Sequence, residues 1–383
     1  VPEMICDWYQ RNGYQFVALS DHNILSNVEK WMDVNTIIKR GGRKWLGRYK
    51  QRFGDDWVTM RTNDKGKAQV RLKRLDEFRP LLEKPGEFLL IQSEEVTSAF
   101  KRFNVHINVT NIKELIPKQT GDSVPDVMRK VLKLVKEQSK TTGQAMFAHL
   151  NHPNFGYSIT AEELAAVIEE RFFEVWNGHP SVGHRGDQHR AGVERLWDIA
   201  NTLRIAKLKA PPLFGLGTDD SHNYFNEDPR TSITGRGWVM VRAQELSAEA
   251  LVQAMQAGDF YASSGVVLKT MECSETAIDL EIEPAGDEKF TTRFIGTLEG
   301  YNDHCEVVKD SKGKEVHATL RYSDEVGQVL ATVKGLHPRY KLTGKELYVR
   351  AEITSTGKPT RAVYQDQLKK AWTQPVGWRK RGQ

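Results

Sequence analysis

The stretch Phe16-Val17-Ala18-Leu19-Ser20-Asp21-His22-Asn23 joins a short apolar run directly to a polar cluster. Four consecutive apolar residues bounded by polar ones are typical of a buried strand. Polar residues that follow a buried strand are common in α/β enzymes, because their sites gather at the carboxyl ends of the strands. The stretch therefore predicts an α/β fold with a site at one edge of its sheet.

Apolar runs of the same kind recur as far as about residue 264, and most end in polar residues. The predicted strands cover residues 16–19, 88–91, 103–109, 145–148, 172–176, 213–217 and 238–241. Amphipathic helices are predicted at residues 2–13, 124–138, 190–204 and 247–257, and a capping box at 160–163 predicts one more. This alternation indicates a βα barrel or a wound sheet with its site on one rim.

The pattern changes after residue 264, where short alternating runs are separated by Gly, Asp and Asn turns without convincing helices. These runs cover residues 278–283, 290–295, 303–308, 316–321, 328–333 and 346–353. We therefore expect two domains, a barrel over residues 1–264 and a β-sandwich-like domain over residues 265–383.

Residues 38–80 form a basic insertion dominated by Lys, Arg and Gly, with aromatics at Trp45, Tyr49, Phe53 and Trp57. We interpret it as a solvated insertion with a few helical turns; a substrate lid or a partner surface is the alternative. Acidic residues interrupt its positive charge, and the net charge of +5 is small for 383 residues. We therefore expect no nucleic-acid partner, although a groove for a single strand at 45–57 would serve a nuclease.

Composition excludes several other classes of protein. Hydrophobic residues at 39% and charged residues at 27% are ordinary for a globular chain. No apolar run approaches the length of a membrane span, so no membrane partner is expected. The three widely spaced cysteines indicate neither a disulfide scaffold nor a thiolate zinc site. Cytoplasmic and secreted or periplasmic locations both fit, and the oligomeric state is not indicated.

Histidines and carboxylates at the predicted strand ends are the candidates for chemistry. Neutral imidazoles and carboxylates are ligands that Zn, Mn and Fe accept. The candidates are Asp21, His22, Glu95, His106, His149, His152, Asp220 and His222. Each has a simpler alternative, such as a hydrogen-bonded turn, a core histidine or a solvated acidic pair. Four strand ends that each present such a residue are hard to explain by packing, and together they predict a metal site.

Four segments resemble successive motifs of the polymerase and histidinol phosphatase (PHP) superfamily of metallohydrolases. They are residues 17–23, 91–97, 148–154 and 217–222. The segments 257–265, 350–352 and 371–375 resemble the carbaryl-hydrolase-like branch of that superfamily. The resemblance implies an α/β fold in which a distorted (βα)7 barrel holds two or three divalent ions (Zn, Mn or Fe), followed here by the β-sandwich-like domain.

The resemblance also implies roles for individual residues. Glu95 would bridge two metals, Asp220 would bind the first, and His106 and His152 would complete the second. His22 and His222 would hold a third. Asp21, Asn23 and Asn177 would orient these ligands without binding a metal themselves. His149 or His179 would protonate the leaving group, and Arg236 would hold an oxyanion; a surface turn is the alternative for that arginine.

The superfamily begins with a His-x-His pair on its first strand, and no such pair precedes Asp21. We expect that the sequence starts in the helix that normally follows that strand.

The function implied is hydrolysis of a small-molecule phosphoester or related ester by a metal-bridged hydroxide. Cleavage of a carbamate or an amide is the enzymatic alternative. The alternative outside catalysis is a binding protein that uses a PHP barrel as its scaffold.

Overall fold

The computed structural model describes residues 1–225 and 228–379. Eight α-helices lie within these ranges, and a π-helical turn, Leu203–Lys207, continues the seventh. The helices are α1 (Pro2–Arg11), α2 (Val34–Gly41), α3 (Trp45–Phe53), α4 (Leu75–Leu82), α5 (Val124–Thr142), α6 (Ala161–Ala166), α7 (Val193–Thr202) and α8 (Ala248–Ala257). No helix in the described part of the chain combines the length and apolar composition needed to cross a bilayer.

The strands account for most of the remaining regular structure. In chain order they are β1 (Phe16–His22), β2 (Lys30–Asp33), β3 (Met60–Thr62), β4 (Ala68–Leu72), β5 (Leu89–Phe100), β6 (Phe103–Thr110), β7 (Phe147–Leu150), β8 (Phe172–Asn177), β9 (Phe214–Thr218), β10 (Trp238–Val241), β11 (Phe260–Ser263), β12 (Leu268–Cys273), β13 (Ala277–Ile282), β14 (Phe290–Leu298), β15 (Cys305–Glu306), β16 (Arg321–Tyr322), β17 (Gln328–Lys334), β18 (Arg339–Lys341), β19 (Glu346–Ser355) and β20 (Lys370–Thr373).

The first sheet has the order β1-β5-β6-β7-β8-β9 and curls into a half-barrel. All its strands except β6 run in the same direction. The predicted mixed α/β class is confirmed, whereas the described residues form no closed barrel. Only two residues, Lys101 and Arg102, separate β5 from β6. These two strands therefore form a hairpin instead of a strand-helix-strand unit, and the predicted alternation is interrupted there.

The second large sheet has the order β10-β11-β20-β19-β14-β17, and its pairings are antiparallel. A three-stranded sheet, β12-β13-β18, shares an apolar core with it that includes Ile278, Leu280, Phe294 and Ile353. Strands β10 and β11 precede residue 264 in the chain but pair in this second sheet. The domain boundary predicted at residue 264 stays a prediction, and the second sheet takes strands from both sides of it.

The basic insertion lies within a longer folded segment, Lys30–Leu82, called the insertion subdomain below. It contains α2, α3, α4 and the three-stranded sheet β2-β4-β3. Ile37, Trp45, Tyr49 and Val70 are buried together in an apolar core that also includes Val1, Met4 of α1 and Tyr224. The interpretation as a solvated insertion is therefore wrong for Trp45 and Tyr49, which are buried, while Phe53 and Trp57 are half-buried.

Strand β5 is longer than its sequence predicts. It continues through the polar run 93–97 to Phe100, and it pairs with β6 over that whole length. The neighbouring β1 ends at His22, whose backbone partner is Glu95. Glu95 therefore lies within a strand, and it reaches the sheet edge because β1 stops beside it.

Candidate metal centre

The predicted metal ligands lie together at the edge where β1, β7, β8 and β9 end. His22 is opposite Glu95 in the β1–β5 pairing, and His106 is opposite Thr97 in the β5–β6 pairing. His152 follows β7, and Asp220 and His222 follow β9. These six residues, called the ligand cluster below, are His22, Glu95, His106, His152, Asp220 and His222. The parallel direction of β1, β7 and β9 brings His22, His152, Asp220 and His222 to one edge, and Glu95 and His106 reach it from within the β5–β6 hairpin.

Glu95 is the centre of the ligand cluster. Its Oε1 is 2.8 Å from His106 Nδ1, and its Oε2 is 3.3 Å from His22 Nδ1. The metal-binding atoms of these three residues all lie within 4.8 Å of one another. A carboxylate with an imidazole at each oxygen suits a residue that holds divalent ions of the Zn, Mn or Fe kind.

The remaining members of the cluster approach from β7 and β9. His152 Nε2 is 3.9 Å from both Glu95 Oε1 and Asp220 Oδ2. His222 Nδ1 is 3.4 Å from Asp220 Oδ1, and the His22 and His222 rings have centroids 5.9 Å apart. The side chains of His22 and His222 are 47% and 33% exposed, whereas that of His152 is 6% exposed. The cluster therefore has a buried base and an open mouth.

Two buried atoms of this cluster make no hydrogen bond among the described residues. They are Glu95 Oε1 and His106 Nδ1, which face each other without hydrogen-bond geometry. A buried polar atom without a partner is costly, so such atoms in a native site call for an unseen ligand. A cation bound by both atoms satisfies them, and the residues present therefore fit a metal.

The ionisation of the site agrees with this fit. Burial raises the pKa of Glu95 to about 7, with Asp220 and Glu174 acting in the same direction and His22 and His152 opposing. Burial also lowers the pKa of His106. A neutral imidazole is the form that binds a metal, and the positive charge of a bound ion would favour the carboxylate form of Glu95.

Glu174 of β8 organises the ends of three strands. Its Oε2 accepts hydrogen bonds from the backbone N–H of His152 and from Asn177 Nδ2, both at 2.7 Å, and its Oε1 accepts one from Thr218 Oγ1. Burial alone would raise the pKa of Glu174, but the imidazoles of His149 and His152 and the Asn177 amide bring it to about 2. In the sequence, Glu174 is the one carboxylate within the apolar run 172–176. An acidic residue in such a predicted buried strand is the signal that could have identified its role.

The three residues predicted to act in catalysis have different environments. His149 is buried, lies 3.6 Å from Glu174 Oε1, and has two ring nitrogens without a hydrogen bond within the described ranges. His179 is half-buried, and its Nδ1 accepts from the Ser181 N–H. Burial lowers the pKa of His179, as do the charges of His222 and His152, while Asp220 opposes them.

Arg236 is buried, and its guanidinium donates to the backbone carbonyls of Gly178, Pro229, Thr231 and Ala362. These contacts support neither a surface turn nor an open anion site. Arg236 thus links the loops that contain these four carbonyls. Its predicted oxyanion role stays a prediction, and these contacts do not support it.

The three residues predicted to orient the ligands, Asp21, Asn23 and Asn177, make different contacts. Asn177 Nδ2 lies 3.3 Å from Asp220 Oδ2, and its orienting role stays a prediction. Asn23 Oδ1 accepts from the Thr97 N–H, so it extends the β1–β5 pairing. Asp21 is exposed, and its carboxylate makes no hydrogen bond to His22 in the described part of the chain. The sequence did not identify Thr97, whose Oγ1 is 2.5 Å from His22 Nδ1.

Asp219, the neighbour of Asp220, has an anchoring position that the sequence did not reveal. Its Oδ1 accepts from the backbone N–H groups of Arg236 and Gly237, and its Oδ2 accepts from the Gly235 N–H at 2.6 Å and the Tyr9 hydroxyl at 2.7 Å. Asp220 has a positive φ of 47°. This turn directs one carboxylate of the pair to the 235–237 loop and the other to the ligand cluster.

A cavity of about 590 Å³ opens beside the ligand cluster. Its walls come from α1, β1, the interior face of the half-barrel, β10 and the insertion subdomain. Apolar side chains, including Phe147, Leu216, Trp238 and Met240, alternate there with the polar site residues. Such a volume holds a small molecule.

Comparison of the sequence with models of known protein families and with curated proteins gives no match. The geometry of the site therefore carries the functional argument.

Proposed function

We propose that this chain is a metal-dependent hydrolase of the PHP type that cleaves a phosphoester or a related ester. The observation that carries the proposal is the pair of buried atoms, Glu95 Oε1 and His106 Nδ1, that face each other without a hydrogen bond among the described residues. The approach of four further predicted ligands to the same edge supports it. The curled sheet would then be part of a distorted (βα)7 barrel.

Two or three ions of Zn, Mn or Fe would be held by the carboxylates of Glu95 and Asp220 and by the cluster's four imidazoles. Such ions supply a Lewis acid and lower the pKa of water toward neutrality. Glu174 and Asn177 contribute by fixing the His152 backbone and the Asp220 carboxylate. Partners of this kind hold metal ligands in place and keep the site preorganised.

In the proposed reaction a water oxygen forms a bond to the phosphorus or carbonyl carbon of the ester. The bond to the leaving oxygen breaks, and a proton passes to that oxygen. His179 lies at the mouth, with its ring centroid 5.6 Å from that of His222. Because burial lowers its pKa, the neutral imidazole would take the proton that the water loses and pass it to the leaving oxygen. His149 is the interior alternative. Arg236 has no part in the proposed reaction, because its guanidinium is bound to carbonyls.

The cavity favours a small substrate that has both an apolar part and a polar ester. Trp238, Met240 and Phe147 supply apolar surface, and Lys30 and Arg40 are also among the residues that line the cavity. Apolar contacts bind and a few polar groups orient a ligand in such a site. A carbamate or an amide of the same size would fit these walls, so turnover must distinguish the substrate classes.

Metal content is the first test. The purified wild-type chain is incubated with Zn²⁺, Mn²⁺ or Fe²⁺, desalted and measured by inductively coupled plasma mass spectrometry. We expect at least one tightly bound ion per chain, and we expect Glu95→Gln with His106→Ala to lose it. His304→Ala is the matched control, because His304 is an exposed histidine paired with Glu306. Less than one bound ion in the wild type refutes the proposal.

Turnover is the second test. The metal-loaded chain is assayed on 4-nitrophenyl phosphate, bis(4-nitrophenyl) phosphate, 4-nitrophenyl acetate and an aryl methylcarbamate. We expect turnover of a phosphate or carboxylate ester that falls at least 100-fold in His106→Ala and not in His304→Ala. Turnover of the carbamate alone would select the carbamate hydrolase. A loaded chain that is inactive on every ester and carbamate would favour the binding protein.

A further inference from the structure

The loop 219–225, called the ligand loop below, carries Asp220 and His222 and is held from two sides within its own domain. On one side, Asp219 binds the 235–237 loop. On the other, the N–H groups of His222 and Asn223 both donate to the Ser232 carbonyl, at 3.0 and 2.8 Å. These contacts fix the first half of the loop and leave its end, Tyr224 and Phe225, to other partners.

The end of the ligand loop lies in the insertion subdomain. Tyr224 is 5% exposed and belongs to the same apolar core as Ile37, Trp45 and Tyr49. Its backbone N–H donates to the Arg40 carbonyl at 3.2 Å, at the end of α2. The residue two positions after a predicted metal ligand is therefore a core residue of the insertion subdomain.

The contact between Tyr224 and α2 is close. A Cβ placed on Gly41 would lie 3.2 Å from Tyr224 Cε2, which is tighter than an ordinary van der Waals contact. Phe225 adds to the contact, because the Arg48 guanidinium of α3 lies 5.2 Å from the centre of its ring. Gly41 thus supplies the space that the tyrosine ring occupies.

The insertion subdomain is in turn attached firmly to α1. The Tyr49 hydroxyl and Trp57 Nε1 both donate to Glu3 Oε1, and Arg52 Nε donates to Asp7 Oδ1 at 2.6 Å. Glu3 and Asp7 are buried. Buried hydrogen bonds to charged groups make the interface between the insertion subdomain and α1 rigid. The insertion subdomain therefore has the character of a fixed support and not of a mobile lid.

We propose that the insertion subdomain positions the metal ligands Asp220 and His222 through Tyr224. This inference rests on the proposed function, since it assigns the subdomain a role in the same site. Tyr224 is a positioning residue: it touches no ligand atom, but it fixes the end of the loop whose middle carries two ligands. Loss of its ring would free the loop end and let Asp220 and His222 move away from Glu95.

The first test is hydrogen exchange without metal. Tyr224→Ala should raise the exchange rates of the loop amides 219–225 at least 10-fold. Tyr224→Phe should leave them unchanged, because it keeps the ring and removes only the hydroxyl, which accepts from the Val1 amino group. Phe294→Ala is the control, since it truncates a fully buried aromatic in the C-terminal core. Unchanged exchange in Tyr224→Ala overturns the inference, whether or not the wild type binds metal.

The second test is Co²⁺ binding followed by visible absorbance, at a temperature at which circular dichroism shows each variant folded. We expect Tyr224→Ala to weaken binding 10-fold or more and to alter the spectrum, and Tyr224→Phe to restore both. Equal affinities and spectra in wild type and Tyr224→Ala overturn the inference while leaving the hydrolase proposal intact. A wild type without Co²⁺ affinity refutes the hydrolase proposal instead.

If Tyr224→Ala does not fold, Gly41→Ala provides the milder perturbation. Its added Cβ presses on the Tyr224 ring from the α2 side. We expect faster exchange of the loop amides and weaker Co²⁺ binding in this variant as well. Wild-type behaviour in both measurements would count against the inference.

Discussion

Asp219→Asn should destabilise the protein and weaken its metal binding although it removes no predicted ligand. The Asp219 carboxylate accepts four hydrogen bonds. Three of the donors are backbone N–H groups, which cannot act as acceptors. The better asparagine orientation places its NH₂ group at the Oδ2 position, where the Tyr9 hydroxyl can turn to accept. The Gly235 N–H then loses its acceptor, which costs about 1–3 kcal/mol for a buried donor.

The remaining bonds also weaken, because hydrogen bonds to a charged acceptor contribute about 1.5–3 kcal/mol and neutral ones about 0.5–1.5 kcal/mol. One gain opposes this loss. Burial raises the pKa of Asp219 despite its donors, so the neutral amide removes a cost of burying charge. The expected net loss is about 2–4 kcal/mol, or roughly 2–5 °C in Tm for a chain of this size.

Thermal unfolding followed by circular dichroism measures the stability, and calorimetric titration with Zn²⁺ measures the affinity. We expect the affinity to fall 10- to 100-fold, as for other residues that orient metal ligands. Tyr9→Phe is the control: it removes one of the four bonds and keeps the three backbone donors, so its Tm should fall by about 2 °C. The reasoning fails if Asp219→Asn has the wild-type Tm and Zn²⁺ affinity.

Three further outcomes are expected. Arg350→Ala leaves the buried Asp198 carboxylate without its bidentate partner, so urea unfolding should show a loss of about 3–5 kcal/mol, and a loss under about 1 kcal/mol contradicts this. Burial raises the pKa of Glu170 from 4.5 to about 8, so between these values the unfolded chain binds fewer protons than the native one. Stability should therefore fall as pH rises, by up to about 1.4 kcal/mol per unit, and Glu170→Gln should flatten the pH dependence of Tm; parallel curves for both proteins exclude it. Removing metal with a chelator should lower Tm, because a ligand at about 100 times its Kd stabilises by about 2.7 kcal/mol, and an unchanged Tm would show that no metal stabilises the fold.

The sequence predicts the core strands of the first sheet well, because their residues are apolar and flanked by polar turns. It also predicts the capping box at Thr160 and Glu163, which is present at the start of α6. The length of β5 could not be predicted, since Ser93, Glu95 and Thr97 are polar and their pattern favours a loop. They belong to a strand because β6 pairs with them, and pairing between distant segments overrides local preference.

The proximity of the candidate residues was easier to predict than the environment of each one. Histidines and acids at the ends of parallel strands meet at one edge, which accounts for His22, His152, Asp220 and His222. Glu95 and His106 lie within the β5–β6 hairpin, so this rule does not account for them. The choice between adjacent carboxylates does not follow from the pattern either, because Asp219 and Asp220 differ only in the backbone turn between them. Arg236 shows the same limit: its guanidinium is predicted to hold an oxyanion, yet it folds inward onto backbone carbonyls.

Strand β9, which leads to Asp220 and His222, also depends on residues far along the chain. It pairs with β8 on one side only, and the Gln374 amide satisfies the N–H and the carbonyl of Gly215, at 2.8 and 3.0 Å. An edge strand without such a cover exposes unpaired backbone groups. A Cβ on Gly217 would lie 2.7 Å from the Trp238 carbonyl oxygen, so β10 packs against β9 at backbone distance. Since β10 belongs to the second sheet, that sheet and the segment containing Gln374 hold the strand that presents Asp220, and the site depends structurally on both sides of residue 264.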